Sequence, residues 1–166
     1  MSIIILISGL IGAGKSTYAR KLASEIGALR FSIDEWMMAL FSADFPEELN
    51  FKWSMERIYR IEEQMWSLVP QLMTLDCAVI FDLGLLQREH RQKFYNWAKE
   101  SSYKIETHVI EADKKLRWQR VTNRNDEKGE TYSLEVNQEM FDFCEDLYEY
   151  PDEEELKYCT FINTDD

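Results

Sequence analysis

Apolar positions fall along the whole chain in short continuous runs separated by helical stripes. Residues 3–7, Ile3-Ile4-Ile5-Leu6-Ile7, have the pattern of a strand buried on both faces. Tyr18, Leu22 and Ile26 recur every fourth position and predict a helix over residues 18–26. Leu29-Arg30-Phe31-Ser32-Ile33 alternates as a second strand, and residues 34–41 read as a short helix. Ser32 and Glu35 have the spacing of a capping box at its start. Residues 42–51, carrying Pro46, form a loop. A stripe at Met55, Ile58, Ile61, Met65 and Leu68 predicts an amphipathic helix over residues 53–69, which Pro70 must kink or end. Residues 78–82 are a third buried strand closing on Asp82. A charged helix at 88–99, a strand at 105–110 and an Arg-rich helix at 113–124 follow. A polar loop at 125–133, a helix at 134–147 and a strand at 158–162 complete the pattern. Strands alternating with helices predict a parallel α/β sheet covered on both faces, with ligands at the carboxyl ends of its strands.

Composition narrows this picture. One domain over the 166 residues is expected, because no repeat, low-complexity segment or long linker divides them. No apolar stretch approaches the roughly 18 residues of a membrane span. The N-terminal apolar run has no basic lead or small-residue cleavage site, so no signal peptide is expected and a cytoplasmic location is. Cys77, Cys144 and Cys159 lack metal-ligand spacing and read as free thiols of a reducing compartment. His90 and His108 stand too far apart in sequence to suggest a zinc site. Net charge is −12, unevenly spread. Residues 88–124 hold ten Lys and Arg against five Asp and Glu, a net of +5, while residues 125–166 hold two Lys against fifteen acids, a net of −13. The basic block suits a polyphosphate, and the acidic tail argues against a nucleic-acid groove. That tail reads either as a solvated face or as acids lining a pocket for a polar or cationic molecule.

The chemistry is most legible between the first strand and the first helix. Gly9-Leu10-Ile11-Gly12-Ala13-Gly14-Lys15-Ser16-Thr17 fits G-x-x-x-x-G-K-[ST] in full, with a strand before it and a helix after it. The glycines let successive N–H groups turn inward around a phosphate, and the helix adds its positive end. Lys15 can reach the β- and γ-phosphates, and the Ser16 hydroxyl can ligate Mg²⁺. Gly9, Gly12, Ala13, Gly14, Lys15, Ser16 and Thr17 are therefore expected to bind ATP.

Three further features complete a pattern. Asp34 stands at the carboxyl end of the second strand, nineteen positions after Lys15; Asp82 closes the third; Arg120 and Arg124 lie one turn apart before a Gly-containing loop. Together with the phosphate loop, these resemble the small P-loop kinases: the kinase domain of phage polynucleotide kinase, chloramphenicol phosphotransferase, zeta-toxin-type kinases and related bacterial ATP-binding proteins. The resemblance spans about residues 3–152 and is most specific in the loop. It implies a three-layer nucleoside-kinase-like fold, a parallel five-stranded sheet of order 2-3-1-4-5, and a lid at about residues 120–133. In such enzymes phosphoryl transfer needs alignment and charge neutralisation. The resemblance implies Lys15 and Mg²⁺ on the loop side, and Arg120 and Arg124 on the lid side, either of which can lie flat on adenine. It implies Asp34 as acceptor of the substrate hydroxyl proton, and Asp82 as holder of a Mg²⁺ water or a substrate hydroxyl.

Simpler structural roles stay open for several residues. Asp34 also suits a helix N-cap, Asp82 a loop cap at Leu83-Gly84, and Arg120 and Arg124 an exposed helix face. Arg117 sits one turn before Arg120. Arg88 and Arg91 read as a solvated helix start or as a grip on an acceptor phosphate. Trp36, Phe41, Phe45, Phe51, Trp53, Tyr59 and Trp66 read as pocket wall or as core beneath the long helix. The expected activity is ATP-dependent transfer of the γ-phosphoryl group to a small-molecule hydroxyl, by a monomer or homodimer. Two alternatives are a regulatory ATPase or switch that phosphorylates nothing, and a polynucleotide 5′-hydroxyl kinase. The charge of −12 weighs against the latter.

Overall fold

In the computed structural model, which describes residues 2–47, 50–129 and 135–165, the first apolar run becomes β1 (Ile4–Ser8), buried at every position. It leads through the phosphate loop into α1 (Lys15–Ile26). Next come β2 (Leu29–Ser32), α2 (Ile33–Phe41), a 3₁₀ turn at Ser42–Asp44 and α3 (Phe51–Thr74). The chain continues with β3 (Val79–Gly84), α4 (Arg88–Glu100), β4 (Ile105–Glu111), α5 (Lys114–Glu127) and α6 (Gln138–Leu147). A second 3₁₀ turn, Leu156–Tyr158, precedes β5 (Cys159–Asn163). All four strand pairings are parallel, and the order is β2-β3-β1-β4-β5. This is the α/β architecture that the apolar pattern predicts and the strand order that the resemblance implies.

The period of two along the central strands divides the core. Ile4, Leu6, Phe31 and Phe81 face the layer of α3 and α4, meeting Met65, Val69 and Phe94. Ile5, Ile7 and Ile80 face α1, meeting Ala19 and partly buried Leu22. Trp66 stacks on Phe81 at 6.0 Å and packs against Trp97 at 4.7 Å, so this member of the aromatic segment is core. Phe41, Phe45 and Trp53 make a separate edge-to-face cluster. Arg57 lies 3.7 Å above the Trp53 ring, while Phe51 and Tyr59 are exposed.

Several boundaries differ from expectation for local reasons. α1 begins at Lys15 rather than residue 18 because Gly14, in the left-handed region, serves as its N-cap. α2 takes Ser32 as N-cap, its hydroxyl accepting from the Glu35 N–H at 3.4 Å. α3 does not end at Pro70, the second of the two outcomes expected there, but runs on to Thr74. Pro70 is on the exposed side of that helix while Val69 and Met65 are buried, so core packing outweighs one missing backbone bond. α5 extends three residues beyond Arg124, and Lys128 closes it in the left-handed region. Residues 130–133 of the expected polar loop, and residue 134 of the expected sixth helix, lie outside the described residues. That helix starts at Gln138, with Asn137 as its cap.

The acidic tail turns back onto α4. Glu149 accepts from the Arg88 N–H at 2.6 Å, and the Arg88 guanidinium meets Asp152 at 2.6 Å. Arg91 is fully buried and grips Glu155 with two bonds, at 2.7 and 3.0 Å, while its third nitrogen donates to Leu85 O and Leu86 O. Glu153 and Glu154 remain on the solvated face, while Glu149, Asp152 and Glu155 turn toward α4. Arg88 and Arg91 answer these acids rather than an acceptor phosphate. Arg91→Ala would strand a buried Glu155 carboxylate and is expected to destabilise the protein by about 3–5 kcal/mol. The apolar pair Arg91→Met with Glu155→Leu removes both charges and should restore most of that loss in urea denaturation.

Candidate active site at the carboxyl ends of the strands

Gly9 and Gly12 show why the loop needs glycine. A Cβ on Gly9, at φ +142°, would stand 2.3 Å from Ile110 O. One on Gly12, at φ +79°, would stand 2.4 Å from Arg117 O. The loop thus threads closely between the end of β4 and the start of α5. Ala13 is buried behind it, and Ser16 stands in the first turn of α1 with Thr17 exposed beside it. Lys15 folds back over the loop and donates from Nζ to Leu10 O at 2.8 Å. Burial holds its pKa below the usual lysine value, while Asp82 and Asp34 partly oppose that shift. The donor set is that of a phosphate cradle: turned backbone N–H groups, an ammonium drawn out of bulk water and a serine hydroxyl.

α5 braces the loop from the other side. Arg117 is buried, donates to Ala112 O and Ile11 O at 3.1 and 3.2 Å, and pairs with Glu145 of α6 at 2.6 Å. Its role is structural, as a clamp between loop, α5 and α6. Arg120, in the body of α5, donates to Gly12 O at 3.5 Å and to Thr164 Oγ1 at 3.0 Å, and also to Thr164 O. Thr164 in turn donates to Ala13 O at 2.7 Å, so the segment after β5 lies against the phosphate loop. Arg120 stands within 3.9 Å of the space a Gly14 Cβ would take. Arg124, half-buried one turn on, acts electrostatically on both Lys15 and Asp34. Asn125 Nδ2 donates to Val136 O at 2.8 Å and Asn125 Oδ1 accepts from Val136 N at 3.1 Å, closing the base of the segment between α5 and α6.

Two carboxylates face this cradle. Asp34 occupies the first turn of α2, where Ser32 is already the cap, so its carboxyl is not needed as one. Partial removal from water raises its pKa, the neighbouring Asp82 raises it further, and Lys15, Arg124 and Arg30 pull the other way. Asp82 is buried in β3 and accepts on Oδ2 from Arg30 Nε and Nη2, at 3.1 and 2.7 Å. Arg30 Nη1 also meets Glu35 at 2.8 Å, and Arg20 of α1 meets the same Glu35 oxygen at 2.9 Å. Lys15, Asp34, Asp82 and Arg124 therefore share one electrostatic neighbourhood, with Ser16 adjoining in sequence. Arg30 and Thr164 join the site without having stood out in the sequence, and Glu35, expected only as a capping-box partner, joins it through Arg30 and Arg20. Cys144 of α6 lies close enough to Lys15 to affect its charge, although burial chiefly raises the thiol pKa.

The histidines lie in other contacts: His108 Nδ1 is 2.7 Å from Tyr18 Oη and His90 Nε2 is 2.5 Å from Glu62 Oε1. Among the described residues, no group of three or more His, Cys, Asp or Glu could hold a metal, and no helix is long and apolar enough to cross a membrane. Mg²⁺ suits the hydroxyl-bearing loop, since it is commonly held by one or two protein oxygens together with phosphates.

Comparison with known proteins agrees with this geometry. The AAA_33 family, described as an AAA domain, matches residues 4–147. A candidate kinase from Chloroflexus aurantiacus superposes with a TM-score of 0.76 at 11% identity, over 99% of this chain and 89% of that one. Kti12 from Chaetomium thermophilum, solved with ADP-AlF3, gives a TM-score of 0.70 at 16% identity, over 98% and 88%. A gluconokinase from Sinorhizobium meliloti 1021 gives 0.64 at 16% identity, over 96% and 81%. At these identities the likeness establishes the fold. No curated protein sequence matches the chain.

Proposed function

We propose a function on one premise: the chain belongs to the AAA_33 family of AAA domains, and its fold is that of the small P-loop kinases. It is an ATP-dependent phosphotransferase acting on a small-molecule hydroxyl. The observation that carries this reading is the placing of Lys15 after β1, Asp34 after β2 and Asp82 late in β3, neighbouring strands of one sheet, so that two carboxylates stand on the side of the phosphate loop. A phosphate loop alone serves any nucleotide hydrolase; a carboxyl of raised proton affinity facing it suits a substrate base.

Each residue has a defined task in the proposal. Loop N–H groups and Lys15 bind the phosphates; Ser16 would hold Mg²⁺, and Asp82, with Oδ2 taken by Arg30, would contribute its other oxygen to the metal's surroundings. The metal supplies charge neutralisation on the phosphates. Arg120 and Arg124 bring further positive charge from α5. Asp34 accepts the proton of the acceptor hydroxyl as its oxygen bonds to the γ-phosphorus and the bond to the β-phosphate oxygen breaks, leaving ADP.

The acceptor is expected to be compact and neutral or cationic. Arg30, Arg88 and Arg91 are engaged by acids of the chain itself, and the overall charge of −12 repels a second polyanion. The test is γ-labelled ATP with Mg²⁺, offered neutral and cationic hydroxyl compounds and a 5′-hydroxyl oligonucleotide at about 150 mM salt. Label on a small compound is expected. Label on the oligonucleotide would make the chain a polynucleotide kinase; label released only as phosphate, whatever the acceptor, would make it an ATPase.

A further inference from the structure

Arg30 is a mostly buried guanidinium on the short edge strand β2, with 11% of its side chain exposed. Packing does not call for a charge there, since an apolar side chain would fill that space without the cost of dehydrating an ion. Its three nitrogens are divided in a particular way. Nε and Nη2 both donate to one Asp82 oxygen, Oδ2, and Nη1 donates to Glu35 Oε1. Glu35 immediately follows Asp34, its N–H is taken by the Ser32 hydroxyl, and its carboxylate also holds Arg20 of α1. Ser32 lies beside Asp82 in the register of β2 on β3. The contact chain Arg20–Glu35–Arg30–Asp82 thus ties the helix after the phosphate loop to the first turn of α2 and to the end of β3.

We propose that Arg30 is a positioning residue: it fixes the Asp82 carboxylate and the first turn of α2 against the phosphate loop, and so sets where Asp34 stands. The proposal rests on the kinase reading of the site. Asp34 is held on both flanks, by Ser32 before it and by Glu35 after it, and Arg30 links Glu35 to Asp82. A lysine cannot replace the fork, because one ammonium offers a point contact where the planar guanidinium spans two carboxylates. Misplacing a reacting group by about 1 Å costs on the order of 10²-fold in rate.

The test compares Arg30→Gln, Arg30→Lys, Glu35→Gln and the double variant Arg30→Gln with Glu35→Gln. Mg·ATP affinity is read by calorimetry and the phosphoryl step by single-turnover quench. Arg30→Gln is expected to bind Mg·ATP within a few-fold of the parent while its single-turnover rate falls about 10²-fold. Arg30→Lys should recover part of that loss. The double variant should be no slower than Arg30→Gln, because both changes cut the same chain. Backbone amide signals of Asp34 and Glu35 should shift in Arg30→Gln while those of Gly14 and Lys15 stay in place. A parent-like rate in Arg30→Gln, or equal losses of affinity and rate that parallel a fall in Tm, would overturn the proposal. A parent that hydrolyses ATP but phosphorylates no acceptor would remove the kinase reading and still allow the rate comparison on hydrolysis. In a parent without turnover the amide map decides, and unmoved Asp34 and Glu35 signals would overturn the positioning role.

Discussion

Lys15→Ala is expected to weaken Mg·ATP binding by at least about 10- to 100-fold, the usual worth of a charged hydrogen bond to phosphate, and to leave the fold intact. Lys15 is the ammonium of a loop whose other donors are backbone N–H groups and a hydroxyl. Its partner in the protein is a carbonyl, Leu10 O, which water can satisfy when the side chain is gone. Burial already disfavours its charged form, so removing it relieves a dehydrated ion. Thermal unfolding of the variant should match that of the parent or lie slightly above it. Calorimetry with Mg²⁺ present checks the binding, and an unchanged affinity would contradict the phosphate-loop reading.

Asp34→Asn is expected to lower phosphoryl transfer by about 10²–10⁴, the range for a positioned general base, with ATP affinity within a few-fold of the parent. Asparagine keeps the shape of the side chain and cannot take the proton. Ser32, not Asp34, caps α2, so stability should change by less than about 1 kcal/mol. Partial dehydration and the Asp82 carboxylate raise the proton affinity of Asp34, so transfer in the parent should decline on acidification at a higher pH than an unperturbed aspartate would set. The variant should lack that acid limb. A pH–rate profile of both proteins checks this; full activity in Asp34→Asn would leave the residue no part in the chemistry.

The fold was legible wherever a pattern had one physical cause. A continuous apolar run such as residues 3–7 has few alternatives to a central strand, and three glycines before Lys-Ser can hardly serve anything but a tight anion-binding turn. Boundaries were less legible, because they depend on tertiary balance: α3 passes Pro70 on the strength of its buried face, and α5 continues past Arg124 to a left-handed cap. Arg88 and Arg91 show the same limit in the site. Their charge pointed equally to a ligand, to solvent or to the chain's own acids, and the partners Glu149, Asp152 and Glu155 lie some sixty residues away. Arg30 was hidden by its strand, where alternation hides the difference between a surface charge and one turned toward Asp82. The aromatic segment from Trp36 to Trp66 was ambiguous because Trp66 packs on the core and Trp53 does not, although both lie on one helix.

The central claim is a division of labour: the loop at residues 9–17 holds the nucleotide, and Asp34, in the first turn of the helix after β2, acts on the acceptor. Titrating Mg·ATP into the parent, Lys15→Ala, Asp34→Asn and Arg30→Gln side by side tests it most directly. Binding should collapse in Lys15→Ala and persist within a few-fold in the other two. Equal affinity in all four proteins, or loss of binding in all three variants, would contradict it.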